Sequence, residues 1–131
     1  MLRQDDVDLP HERVIVAHLG NGASMCALRG GRSVETTMGF TTLAGLMMGT
    51  RSGDLDPGAV LYLLTAKGLK PQEAQQILYE RSGLLGVSGH SSEMRELLNR
   101  RDDPRAQDAV DLFCYRARHH LAALTAIDVP V

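Results

Sequence analysis

The sequence has little cysteine, almost no net charge and no long apolar run, and each shortage excludes a class of protein. Only Cys26 and Cys114 occur, far apart and without metal-ligand spacing around either. A disulfide-framed secreted fold and a cysteine metal site are therefore not expected. Both cysteines lie in apolar stretches, where a free thiol behaves as a small buried hydrophobe. The formal net charge of -2 gives no electrostatic reason for a nucleic-acid or anionic-membrane partner. Arg29 with Arg32, and Arg100 with Arg101, read as solvated turns or helix ends. No stretch approaches the roughly 20 apolar residues of a membrane helix. The opening residues, Met1 to Pro10, are acidic and polar, unlike a secretory signal. Repeats, low-complexity tracts and linkers are missing too. A cytoplasmic protein with no membrane partner is the expectation.

What is present suits one globular unit. The chain has 131 residues, 44% hydrophobic and 23% charged. Residues 1–12 read as a polar lead-in with a helical turn. Val14 to Ala17 form a nearly continuous apolar run, the pattern of a strand buried on both faces. Asn21-Gly22 and Gly30-Gly31 are tight-turn signals. They divide Arg13 to Thr37 into three short strands, an antiparallel meander. Met38 to Arg51 reads as loop with one helical turn near Leu43 to Leu46, its methionines serving packing. Asp56-Pro57, Pro71 and Asp103-Pro104 open helices, with Gly68 closing the first and Gly83 the second. Gly83 to Gly89 reads as a glycine-rich turn. Ser91 or Ser92 caps a short helix bearing Met94, Leu97 and Leu98. The last helix is the longest, with Ala106, Val110, Phe113, Ala117, Leu121 and Leu124 on one stripe. Ile127 to Val131 looks like the start of another element. His119 and His120 point to different helix faces and make a poor metal pair.

Three stretches can carry chemistry. In His18-Leu19-Gly20-Asn21-Gly22-Ala23-Ser24, a strand delivers the chain to a turn. Its glycines let backbone N–H groups approach an anion. Asn21 adds an amide, Ser24 a hydroxyl, and His18 a donor at the strand's end. It is not a P-loop, since no Gly-Lys-Ser/Thr follows. On spacing alone a plain hairpin explains it better. In Met48 to Pro57, Arg51 sits among small residues before a helix N-terminus. A guanidinium there suits the equatorial oxygens of a transferring phosphoryl group, with Asp54 as its support. Composition alone favours a surface loop in which Arg51 pairs with Asp54 and Asp56. In Gly83 to Arg95, hydroxyls and backbone donors crowd a short helix entry. Glu93 can accept from sugar hydroxyls, and Arg95 can lie on a purine or pair with phosphate. Alone, it is an ordinary serine-capped helix.

Taken in order and register, these stretches resemble the acetokinase family. His18 to Ser24 is similar to its HLGNGxS turn. Met38-Gly39-Phe40-Thr41 through Pro57 is similar to its MGF(T/S)PLxGLxMGTRSGDxDP block. Gly83 to Arg95 is similar to its SGLLGxSGxSSDxR stretch. The resemblance runs from about Val14 to the end and is nearest to the acetate kinases, with propionate and butyrate kinases sharing the fold. It implies an α/β, actin-like (ribonuclease-H-like) ATPase domain, here an antiparallel strand meander followed by four helices. Residues 1–131 would be a single partial domain, the start of the family's C-terminal domain.

The implied activity is transfer of the γ-phosphoryl of ATP to acetate, giving acetyl phosphate and ADP, with Mg2+ whose ligands lie outside this chain. A homodimer is implied for the parent enzyme. The resemblance assigns the nucleotide phosphates to His18, Leu19, Gly20, Asn21 and Gly22. It assigns the transition state to Arg51 as catalytic residue, and adenosine to Glu93, Met94 and Arg95. Glu93 departs from the family's usual aspartate by one methylene, and Lys70 stands where a capping serine is common. The family's other catalytic groups, a second histidine, an aspartate, a carboxylate-binding arginine, an asparagine, a GGIGEN-type loop and a magnesium-binding glutamate, fall outside this chain. The isolated chain is therefore expected to be inactive. The competing expectation is a truncated structural or weak nucleotide-binding module. A meander with an open edge invites association. Made alone, the chain should dimerise or aggregate, and sedimentation showing a clean monomer across concentrations would contradict that.

Overall fold

A computed structural model describes residues 13–100 and 102–127. The expected lead-in at 1–12, and all of the expected final element beyond Ile127, lie outside the described residues. The meander is observed as β1 (Arg13–Leu19), β2 (Ala23–Arg29) and β3 (Arg32–Thr36), in the order β1-β2-β3. Register runs from Arg13 opposite Arg29 to Leu19 opposite Ala23. Gly30 and Gly31 have φ of 56° and 74°, as a two-residue hairpin turn requires. A register shift between Ala27 and Leu28 bends the second pairing.

The central strand shows why one face matters. Ala23, Met25 and Ala27 are buried while the residues between them are half-buried. The expectation that the first strand is buried on both faces is corrected: only Val14 and Ile15 are half-covered, and Val16 and Leu19 are exposed. The apolar run is real, but β1 stands at an edge of this sheet. Among the described residues nothing covers its outward face.

Residues 37–56 form a loop, as expected, but without the helical turn at Leu43 to Leu46. Gly45 has φ of 88° and takes the chain out of the right-handed region. Leu46, Met47 and Met48 are buried, so the methionines do serve packing.

Five helices follow where four were expected: α1 (Pro57–Thr65), α2 (Pro71–Glu80), α3 (Gly83–Ser88), α4 (Met94–Leu98) and α5 (Pro104–Ala126). Asp56 and Asp103 cap α1 and α5, accepting N–H bonds from Gly58 and Arg105 at 2.7 and 2.9 Å. The proline openings of α1, α2 and α5 are as read. At α2, Lys70 offers no acceptor, and the Glu73 carboxylate takes the Lys70 N–H at 2.7 Å. The glycine-rich turn is instead helix α3. Gly83 (φ 62°) lets the chain enter it and Gly89 (φ 78°) ends it. At α4 the expected serine cap is not formed: Glu93 stands at the N-cap, and Ser91 Oγ, two residues earlier, accepts the Glu93 N–H at 3.1 Å.

The core has two clusters, and α5 runs through both. At its C-terminal end Leu124 joins Ala23, Met25, Ala27, Leu46 and Met48. At its N-terminal end Ala106 and Ala109 join Met47, Leu84 and Leu97. The predicted stripe holds apart from Leu121, which is exposed. Cys26 is half-buried and Cys114 exposed, against the expectation that both are buried. Cys26 alternates onto the outer sheet face, and Cys114 lies off the apolar stripe. Truncating Leu46, which is 1% exposed, should cost about 2–5 kcal/mol in urea unfolding. Leu61→Ala, at a 60% exposed position, should stay within about 0.5 kcal/mol.

Candidate active site

The three stretches meet where the β1–β2 turn, the loop after β3 and the α3–α4 segment come together. The turn closes through the Gly20 N–H donating to Gly22 O at 3.1 Å. Asn21 then latches it to the loop: its carbonyl accepts the Gly49 N–H at 2.9 Å. Its side chain lies across Gly49 so closely that a Cβ there would fall 1.6 Å from Asn21 Oδ1. His18 leans back over the turn, since a Cβ on Gly20 would lie 3.0 Å from its Nε2. His18 and Ser24 are directly opposite in register. They therefore share one sheet face beside the turn.

Arg51 is half-buried and stands next to this turn; a Cβ on Gly22 would be 3.7 Å from its Nη1. Its guanidinium donates to Thr42 O at 3.3 Å and contacts Met48 Sδ at 3.7 Å. The backbone around it is stitched on both sides. Leu84 and Leu85 N–H groups donate to Met48 O and Gly49 O, both at 2.9 Å. Ser82 N–H donates to Thr50 O at 2.9 Å, and Thr50 Oγ1 to Tyr79 O at 2.8 Å.

Asp54 does not support Arg51 directly, which corrects that expectation. Its Oδ1 accepts the Gly45 N–H at 2.7 Å instead. Asp56 is occupied as the α1 cap. The plain surface ion pair is thus not formed, because both carboxylates are engaged by backbone donors.

Leu19, Gly20 and Asn21 line one side of a cavity of about 310 Å³, and Ser92, Glu93, Met94 and Arg95 line the other. Leu84 and Phe113 complete its wall. The first and third stretches thus share one hollow, with Arg51 behind the turn at Gly22. His18 and Gly22 belong to the turn without lining the hollow. Sequence reasoning included Gly49 and Leu84 in its stretches without giving either a role, and it missed Phe113 as part of this region. Leu84 and Phe113 read there only as apolar residues, and nothing local signals the Asn21–Gly49 contact. A larger hollow of about 530 Å³ runs along the Gln- and Glu-rich face of α2. Among the described residues no three His, Cys, Asp or Glu side chains converge on a metal position.

An antiparallel meander leading into a helical half is an α/β arrangement, and its likeness to solved acetate kinases fits the actin-like fold class. The sequence model of the acetokinase family matches residues 3–128. The acetate kinase of Nitrobacter hamburgensis is 60% identical over 114 residues, 87% of this chain and 28% of that protein. The solved acetate kinase of Porphyromonas gingivalis superposes with a TM-score of 0.88 at 40% identity, over 92% of this chain and 31% of that one. A propionate kinase from Francisella tularensis superposes at 0.80 with 42% identity, over 85% and 29%. This chain belongs to the acetokinase family, and it spans about 28–31% of the length of these relatives.

The latch has a direct test. Gly49→Ala should destabilise by about 1–3 kcal/mol through overpacking and should move the Asn21 amide resonances. Gly68→Ala, where no atom lies within 4 Å of the new methyl, should leave those resonances in place.

Proposed function

We propose that this chain forms one wall of the nucleotide cleft of an acetate kinase, an enzyme that transfers the γ-phosphoryl of ATP to acetate. The observation that carries this reading is convergence: Gly20 and Asn21 of the turn and Glu93 to Arg95 line one cavity, and Arg51 stands behind that turn at Gly22. Residues 1–131 are then the start of the C-terminal domain of a longer, cytoplasmic, homodimeric enzyme. The wall's phosphate-facing part is the turn. Backbone N–H groups and the Asn21 amide meet the anion there, helped by His18. Glu93, Met94 and Arg95 hold the adenosine.

Arg51 carries the chemical step. As the γ-phosphoryl moves from the leaving ADP oxygen to a carboxylate oxygen, charge spreads over its equatorial oxygens. A fixed guanidinium stabilises that charge without reorganising. Mg2+, when bound, neutralises phosphate charge, and its ligands belong to chain outside these residues. The match to a solved propionate kinase supports a second reading, in which the acceptor is a longer carboxylate.

Two measurements test the proposal. The full-length gene product should form acyl phosphate from ATP and a short carboxylate; no product with acetate, propionate or butyrate would refute it. The 131-residue chain should show negligible turnover. It should still bind ADP weakly, and Arg95→Ala and Gly22→Val should each abolish that binding. Unchanged binding in both variants would remove these residues from the site.

A further inference from the structure

The loop that carries Arg51 is closed at its base by a reciprocal pair. Gly45 N–H donates to Asp54 Oδ1 at 2.7 Å, and Asp54 N–H donates to Gly45 O at 2.9 Å. Gly53, at φ 70°, packs so tightly on Leu46 that a Cβ would lie 2.6 Å from its carbonyl. Asp54 is thus the point where this loop is pinned. Helix α5 reaches that point with two side chains one turn apart. Arg116 Nη2 donates to the Asp54 carbonyl. His120 places Nε2 3.6 Å from Asp54 Oδ2, the oxygen that Gly45 does not use. The His120 side chain is only 12% exposed, and Nε2 is buried without a hydrogen-bond partner. A buried polar nitrogen facing a carboxylate is costly unless it works with that carboxylate.

We propose that Arg116 and His120 are positioning residues for Arg51, holding Asp54 and through it the base of the loop. The distance from α5 to the guanidinium is bridged by backbone. Asp54 fixes Gly45, Leu46 to Met48 are locked in the core, and the Met48 N–H donates to Arg51 O at 3.1 Å. Neither α5 residue lines the cavity. Their effect is on where Arg51 stands, and the inference rests on the reading of Arg51 as the phosphoryl-facing cation.

The test uses the 131-residue chain and no nucleotide, so it stands apart from the success or failure of the kinase reading. Two signals are followed by NMR: hydrogen exchange of the Gly45 amide, and the side-chain Nε resonance of Arg51, assigned by its loss in Arg51→Lys. In His120→Leu, Gly45 should exchange at least about tenfold faster while the α2 amides keep their rates, a local rather than global opening. The Arg51 Nε resonance should move. His120→Gln, which keeps an N–H to offer Asp54, should restore both signals. If His120→Leu does not fold, Arg116→Met with Arg116→Lys as its conservative partner makes the same comparison. In Asp54→Asn, which keeps an acceptor for Gly45, adding His120→Leu should shift Arg51 no further. An unmoved Arg51 resonance in both His120→Leu and Arg116→Met would overturn the proposal. So would failure of both conservative variants to restore it.

Discussion

The surroundings of the cavity depend on one buried crossing, where the backbone of residues 45–49 passes between the β1–β2 turn and helix α3. Buried peptide groups must find partners, since each one left unpaired costs about 1–3 kcal/mol. Here the partners come from both sides: Asn21 for the Gly49 N–H, Arg51 for the Met48 N–H, and Leu84 and Leu85 for the carbonyls of Met48 and Gly49. Such close approach leaves no room for side chains at Gly49 or at Gly83, where a Cβ would lie 2.2 Å from Met48 O. The sheet and the helices are therefore joined by main chain as well as by apolar packing. Arg51 lies two residues beyond Gly49 and inherits its position from that joint.

The same crossing divides the core. Leu46 and Met48 point into the sheet cluster, while Met47 points into the helical one. The alternation of an extended segment thus feeds two separate apolar groups from three consecutive residues. Helix α5 spans both, about 34 Å at 1.5 Å per residue. Its Ala106 and Ala109, fully buried, let it lie close against α3 and α4 at one end. At the other end Leu124 packs under the strands. Phe113, between these, forms part of the cavity wall.

Local chemistry made much of this legible. Asp-Pro pairs at 56–57 and 103–104 announced helices because an acceptor and a preset φ favour the first turn whatever surrounds it. Paired glycines announced hairpin turns for the same kind of reason. What could not be read locally was anything decided by contact at a distance. Three glycines within seven residues of 83–89 look like a turn, yet with Leu84 buried in the core the segment is a helix. Asp54 looked like the partner of Arg51, three residues away, but Gly45 and α5 claim it. The apolar run at Val14 to Ala17 speaks of burial, although β1 lies at the sheet edge. For the site, the glycines and arginine were visible as motifs, whereas the meeting of the first and third stretches on one cavity depends on Leu84 and Phe113. Those two residues carry no chemical label of their own.

Asn21 and Gly49 limit each other's size. The amide fills the volume that any side chain at 49 would need, and the bare backbone at 49 is what gives the amide a place to rest. Drift at these two positions is therefore tied. A lineage could enlarge residue 49 only after residue 21 had shrunk. The intermediate step would loosen the turn before the exchange was complete. Two positions far apart in the chain are in this sense a single heritable unit.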